Sequence, residues 1–364
     1  MGQDRGRSPD CDVIWLAATD SEGNNGGMHL QRIARERFSA ALVFGLLALA
    51  ATVLFHGGAS GQGFSRAQWP KTDFSRTSID LGEIRSGGPG KDGIPAIDAP
   101  RFISVEEALK GKRYAPKEAV LGLEIDGDFR AYPLQILMWH EIVNDTVGGA
   151  PVSVTYCPLC NSAVVFDRRV AGRILDFGTT GNLRKSDMVM YDRQTESWWQ
   201  QFLGEGIVGE LTGTKLTMLP ARVESFERFA ARAPDGKVLI PTGDVGRPYG
   251  VNPYVGYDTA PRPFLYDGEF PKGIAPLAYV LAVGNEAWSL DLLRREKRIE
   301  KDDLVITWEA GQASALDREE IFRGRDIGNV VVQRKTPTGL VDAVHDLTFA
   351  FVFHAFIKDG KIHK

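Results

Sequence analysis

Two cysteines stand two residues apart in Tyr156-Cys157-Pro158-Leu159-Cys160, and the third, Cys11, lies far upstream beyond an apolar run. Such a pair can do three things. It can give two thiolates to a soft ion such as copper(I) or zinc. It can cycle between a dithiol and a labile disulfide, with the first sulfur as nucleophile. Or it can close a structural disulfide that stiffens a turn. Spacing alone selects none of these. Thioredoxin-like use wants the first sulfur at a helix N-terminus, but Ala163–Phe166 follows almost at once and reads as a strand. A metal needs more ligands, and there is no second Cys-x-x-Cys. They would have to come from His140, His345, His354 or a carboxylate. We take Cys157, Cys160 and His140 as the candidate metal set. The plainer reading of His140 is a helix-end histidine bonded to a carbonyl. His354 sits in the apolar run Phe349–Ile357, where a strand would put it on one face with Val352 and Phe356, as a core or edge residue.

A second polar group follows. Gly178-Thr179-Thr180-Gly181-Asn182-Leu183-Arg184-Lys185-Ser186-Asp187 is a glycine-containing turn with a cation and a carboxylate. Asn182, Arg184 and Asp187 are binding candidates there, because backbone N–H groups in such a turn can cradle an anion. The plainer alternative is a hairpin loop with an Arg–Asp pair. Trp198 and Trp199 point to opposite faces of an extended chain. One would enter the core, and the other would line a groove together with Tyr249–Tyr254.

The elements that must hold these residues read as mostly β: a β-rich α+β fold of multi-stranded antiparallel or barrel-like sheets with a few short helices. The 40 glycines and 19 prolines imply many turns. Val120–Ile125 and Phe129–Tyr132 flank Asp126-Gly127 and read as a hairpin. Strands are expected at Val152–Tyr156, Ala163–Phe166, Ile174–Phe177, Met188–Tyr191, Leu216–Leu219 and Val238–Ile240, and a helix over Gln135–Asn144. Ser104 with Glu107 forms a capping-box signal for a short helix. Val280–Val283 through Trp288–Leu290 echoes the Val120 hairpin and continues into Leu304–Trp308 and Val330–Val332, which suggests a duplicated β-unit.

The N-terminal region decides the compartment. Residues 1–37 are polar and basic, with Arg32, Arg35 and Arg37 just before an uncharged apolar run, Phe38–Phe55. At about 18 residues the run suits a secretory signal or a spanning helix. The preceding basic residues put the remainder on the far side of the membrane. Met28 is the expected true start, which makes that run the first feature of the chain. Residues 56–110 read as a linker and 111–364 as the exported folded region. The partner expected from this layout is the membrane, with the folded part periplasmic. With a net charge of -4, 43% hydrophobic and 25% charged residues, the composition is that of a globular protein and not of a nucleic-acid binder.

Five motifs occur in order: His140-Glu141-Ile142-Val143-Asn144-Asp145, Gly148-Gly149-Ala150-Pro151-Val152, Tyr156-Cys157-Pro158-Leu159-Cys160-Asn161-Ser162, Gly181-Asn182-Leu183-Arg184 and Tyr191-Asp192-Arg193-Gln194-Thr195-Glu196-Ser197-Trp198. Together they resemble the domain of unknown function 3179 family, over roughly residues 115–360. The resemblance implies an exported or membrane-anchored protein and names no reaction. Three functional readings stay open: a copper or zinc protein, a thiol–disulfide protein, and a non-enzymatic binding module with the cysteines as a staple.

Overall fold

The computed structural model describes residues 64–242 and 246–364. The signal or spanning segment and the Met28 start lie outside them. Among the described residues no helix is long and apolar enough to cross a membrane. Among the described residues the fold is β-rich, with small sheets in a propeller-like arrangement and five short helices.

The expected hairpin forms as Ala119–Ile125 against Asp128–Pro133. Its corner uses Asp126 at φ 48° and Gly127 at φ 79°, the two left-handed residues that the twist of a tight hairpin demands. Arg222–Ser225 adds antiparallel to its first strand, and Lys237–Ile240 adds parallel to its second. Arg101–Ser104 closes that sheet, and the helix Val105–Lys110 after it is capped by Ser104, which accepts the Glu107 N–H at 3.0 Å. A second sheet runs Ile142–Val147, Ala150–Cys157, Ser162–Asp167 and Met218–Leu219.

The suspected duplication is visible in the topology. Tyr279–Val283 and Glu286–Ser289 form a hairpin, flanked antiparallel by Asp346–Phe349 and parallel by Lys361–His363. Arg298–Lys301, Leu304–Glu309, Asn329–Thr336 and Gly339–Asp342 form the matching meander. The register agrees: Val120 faces Pro133 and Val280 faces Ser289, and both second residues N-cap a seven-residue helix. The first half also carries an inserted sheet of Phe177–Arg184, Asp187–Asp192, Trp198–Gln200 and Glu205–Val208, edged by Ile84–Ser86.

Four expectations need correction. Ile174–Phe177 is not one strand: a two-residue strand ends at Ile174, Leu175 turns into the core, and a new strand begins at Phe177. The helix begins at Leu134 and stops at His140. Glu141 turns the chain at φ 58°, and the β-branched run Ile142–Val147 is a strand, a preference that outweighs helical continuation. His354 is exposed on the helix Ala350–Phe356, because a short apolar run carries no period that separates strand from buried helix. The presumed linker is part of the fold from Phe64 onward. Trp69 is 2% exposed and meets Tyr191 and Trp198 edge-on at 4.9 and 5.0 Å. The stretch is poor in apolar residues because it lies along the surface, yet aromatic anchors at Phe64, Trp69 and Phe74 hold it there. Full burial of a large apolar side chain contributes about 1.5–3 kcal/mol, and the half-buried Phe64 and Phe74 contribute less than Trp69.

Candidate functional site

Cys157 ends the strand Ala150–Cys157 and faces Ser162 across the ladder, so the cysteines occupy the tip of a β-hairpin. The Cys160 N–H donates to the Cys157 carbonyl at 3.2 Å, and Asn161 closes the corner at φ 49°. No helix starts there, in keeping with the strand reading of Ala163–Phe166. The second half buttresses the tip. Thr348 Oγ1 donates to the Cys160 carbonyl at 2.8 Å, and Asn161 Nδ2 donates to the Leu347 carbonyl at 2.7 Å.

A second hairpin tip meets the first. Arg184 and Asp187 face each other, with Lys185 at φ 52° and Ser186 at φ 67° between them. This is the left-handed pair of a two-residue hairpin turn, built without the usual Asn-Gly. Non-glycine residues in this region cost of order 1 kcal/mol each and need support from their surroundings. The tip carries the Ser186 carbonyl to 3.4 Å from Cys160 Sγ and 4.0 Å from Cys157 Sγ. It also places Asp187 beside the sulfurs: one ligand atom each from Cys157, Cys160 and Asp187 lies within 4.8 Å of the others, and all three residues are buried. Both cysteines are free thiols.

Asp187 is held in place. Its Oδ2 accepts Gln200 Nε2 at 2.6 Å and the Phe202 N–H at 3.0 Å, and the Cys160 thiol also lies within hydrogen-bonding reach of the carboxylate. Arg184 does not pair with it directly. The guanidinium binds Glu83 at 3.0 Å and Gln200 Oε1 at 3.2 Å, so Gln200 links the two.

The electrostatics are one-sided. Burial pushes the Asp187 carboxyl up to about 6 and the Glu141 carboxyl up to about 8, the latter also through the charge of Asp187. Burial likewise raises both thiols, Cys160 most, with Asp187 adding to each. Asp346 behind the tip is pushed up to about 7 by burial. Both sulfurs are therefore protonated at neutral pH unless a cation joins them, which is the opposite of an activated nucleophile.

His140 is not part of this cluster. Its Nδ1 lies 2.8 Å from the Pro95 carbonyl and its Nε2 lies 2.8 Å from the Tyr249 hydroxyl. The carbonyl requires a proton on Nδ1, so Nε2 accepts from Tyr249 and neither nitrogen is left for a metal. This is the carbonyl-bonded histidine of the plainer reading. His345 also turns Nδ1 to a carbonyl, that of Ala343, at 2.8 Å.

The remaining candidates have structural places. Asn182 sits at a β-bulge, and its N–H donates to Thr180 Oγ1 at 2.9 Å. The neighbouring Gly181, at φ 73°, would bring a Cβ to 1.9 Å from the Pro89 carbonyl oxygen, so passing chain fills the space an anion would need. Trp198 and Trp199 do point to opposite faces, but both are fully buried and neither lines a groove. The inserted sheet is covered on both sides: Trp198 packs on Phe64, Trp69 and Phe74, and Trp199 on Phe177. Tyr257 was not anticipated. Its hydroxyl donates to the Leu159 carbonyl at 3.1 Å and so holds its segment against the cysteine tip. The sequence signal for Asp187 was its place one residue past a two-residue corner; the missing glycine hid that corner.

A family model described as a protein of unknown function (DUF3179) matches residues 91–360. No curated protein and no solved structure matches the chain.

Proposed function

We propose, from the premise that this chain belongs to the DUF3179 family, that it is a metal-binding protein holding a soft or borderline cation through Cys157, Cys160 and Asp187. One observation carries the reading: two hairpin tips bring three anionic ligand types within 4.8 Å of one another in a buried place. Among the described residues, no lysine or arginine forms an ion pair with Asp187. Such buried groups stay neutral on their own and take their charged, ligating form when a cation supplies the counter-charge. Two thiolates and one carboxylate suit zinc, which accepts both sulfur and oxygen; copper(I) would use the sulfurs alone. Gln200 is then the partner that orients the carboxylate ligand, in the manner common to metal sites. Redox use of the pair is less well supported, because both thiols are buried and raised. The basic-then-apolar order of residues 32–55 favours a membrane-associated, extracytoplasmic setting for the site.

Metal analysis of protein purified without oxygen and incubated with zinc or copper(I) tests this. One equivalent is expected in the wild type, and none in Cys157→Ser or Cys160→Ser that remain folded by circular dichroism. A wild type that retains neither ion after desalting would sink the proposal.

A further inference from the structure

A cavity of about 550 Å³ lies where the two halves meet, and neither cysteine lines it. Val164, Phe202 and Met218 wall it from the first half; Val283, Val344 and Ile357 wall it from the second. Its size falls within the range of small-molecule sites, which are mostly apolar with a few placed polar groups and favour junctions between structural units.

The polar groups around it define a ligand. Arg334 is taken up by Asp303 at 2.7 Å, and Asp342 by Arg222 and by Gln333 Nε2 at 3.1 Å. Asp346 accepts the Ala163 N–H at 3.0 Å and lies beside the Ser162 hydroxyl. Asp342 is thus engaged with protein groups, and Arg334, half exposed in the wall, commits Nη1 to Asp303. His345 differs. Its Nδ1 faces the Ala343 carbonyl at 2.8 Å and must carry the proton there, so Nε2 is an acceptor. His345 lines the cavity and keeps some solvent contact.

We infer that this cavity is a binding site for a small uncharged molecule with an apolar body and one hydroxyl, such as an aromatic or medium-chain alcohol, whose O–H donates to His345 Nε2. The apolar walls take the body. The site does not depend on metal at the cysteines.

The test uses 1-naphthol as probe, with 1-methoxynaphthalene as control, titrated into the folded protein by calorimetry. The expected result is a dissociation constant for 1-naphthol below about 1 mM, with the methyl ether weaker by roughly tenfold, the scale of one hydrogen bond. His345→Phe should bring 1-naphthol down to the level of the ether. Val283→Trp, or Met218→Trp if the first variant does not fold, should abolish binding of both by filling the space. The inference is overturned if the wild type binds 1-naphthol no better than the ether, if it binds neither, or if a folded tryptophan variant binds as the wild type does.

Discussion

The two halves share a scaffold and differ in what it carries. In the first, the chain leaves its helix through Glu141 at φ 58°; in the second, through Lys297 at φ 60°. Each of these residues accepts a hydrogen bond at 2.8 Å from the matching strand, from Tyr156 N–H and Trp308 N–H respectively. One residue further on stand Cys157 and Glu309. The first strand returns after the short tip 158–161, while the second gives way to the loop 310–328 before Asn329. Only the first half has the inserted sheet that delivers Asp187. Lys297 instead lays its ammonium 3.7 Å from the centre of the Trp308 ring. The repeated corner is therefore a property of the scaffold, and the thiol–carboxylate cluster arises where a short tip meets an insertion.

The largest test of this contrast exchanges the matched positions. Cys157→Ser is expected to lose all bound metal, whereas Glu309→Ser keeps a full equivalent; equal losses in metal analysis would erase the distinction. Next, Gln200→Leu removes a partner of Asp187 that has no counterpart in the second half. We expect metal affinity to fall by roughly 10–100-fold, measured by competition with a chromogenic chelator, with the cysteines intact.

A third test uses pH. The folded-state carboxyls of Asp187, Asp346 and Glu141 are raised to about 6, 7 and 8. Between their unfolded values near 4 and those values, the folded chain binds more protons than the unfolded one. Stability of the metal-free protein therefore falls as pH rises through that window. Metal affinity runs the other way, since binding displaces protons from the ligands. Thermal melts should show the metal-free Tm lower at pH 8 than at pH 5, with a smaller difference in Asp187→Asn; a metal-free Tm that rises over this range contradicts the assignment. The smallest effect compares the two corners. Glu141→Gly relieves left-handed strain and should stabilise by about 1 kcal/mol. Lys297→Gly gains a similar amount but loses a cation–π contact of about 0.5–1 kcal/mol, so its change in urea midpoint should be near zero.

Local chemistry made much of this legible. Asp126-Gly127 marked its hairpin, Ser104 its helix cap, and the Val120 and Val280 runs the repeat. The cysteines were evident from type and spacing, and the following strand was enough to set aside a helix-borne thiol. Asp187 was legible as a binding candidate in its turn, but its place beside the cysteines was not. Asp187 reaches the sulfurs only because the inserted sheet folds back onto the first-half meander, a contact between hairpin tips that no short pattern encodes. His140 was drawn in by its nearness in sequence, but the corner at Glu141 and the Pro95 carbonyl turn its ring elsewhere. The stretch 64–100 was misread because its few aromatic anchors are diluted among polar residues.

The left-handed corners at Asn161, Lys185 and Ser186 have a kinetic consequence. They fix both tips through backbone torsion and the hydrogen bonds around them, all within the chain itself. A clip assembled in advance needs no slow rearrangement to load. Capture of the proposed ion should follow a single exponential whose rate rises linearly with ion concentration and does not level off.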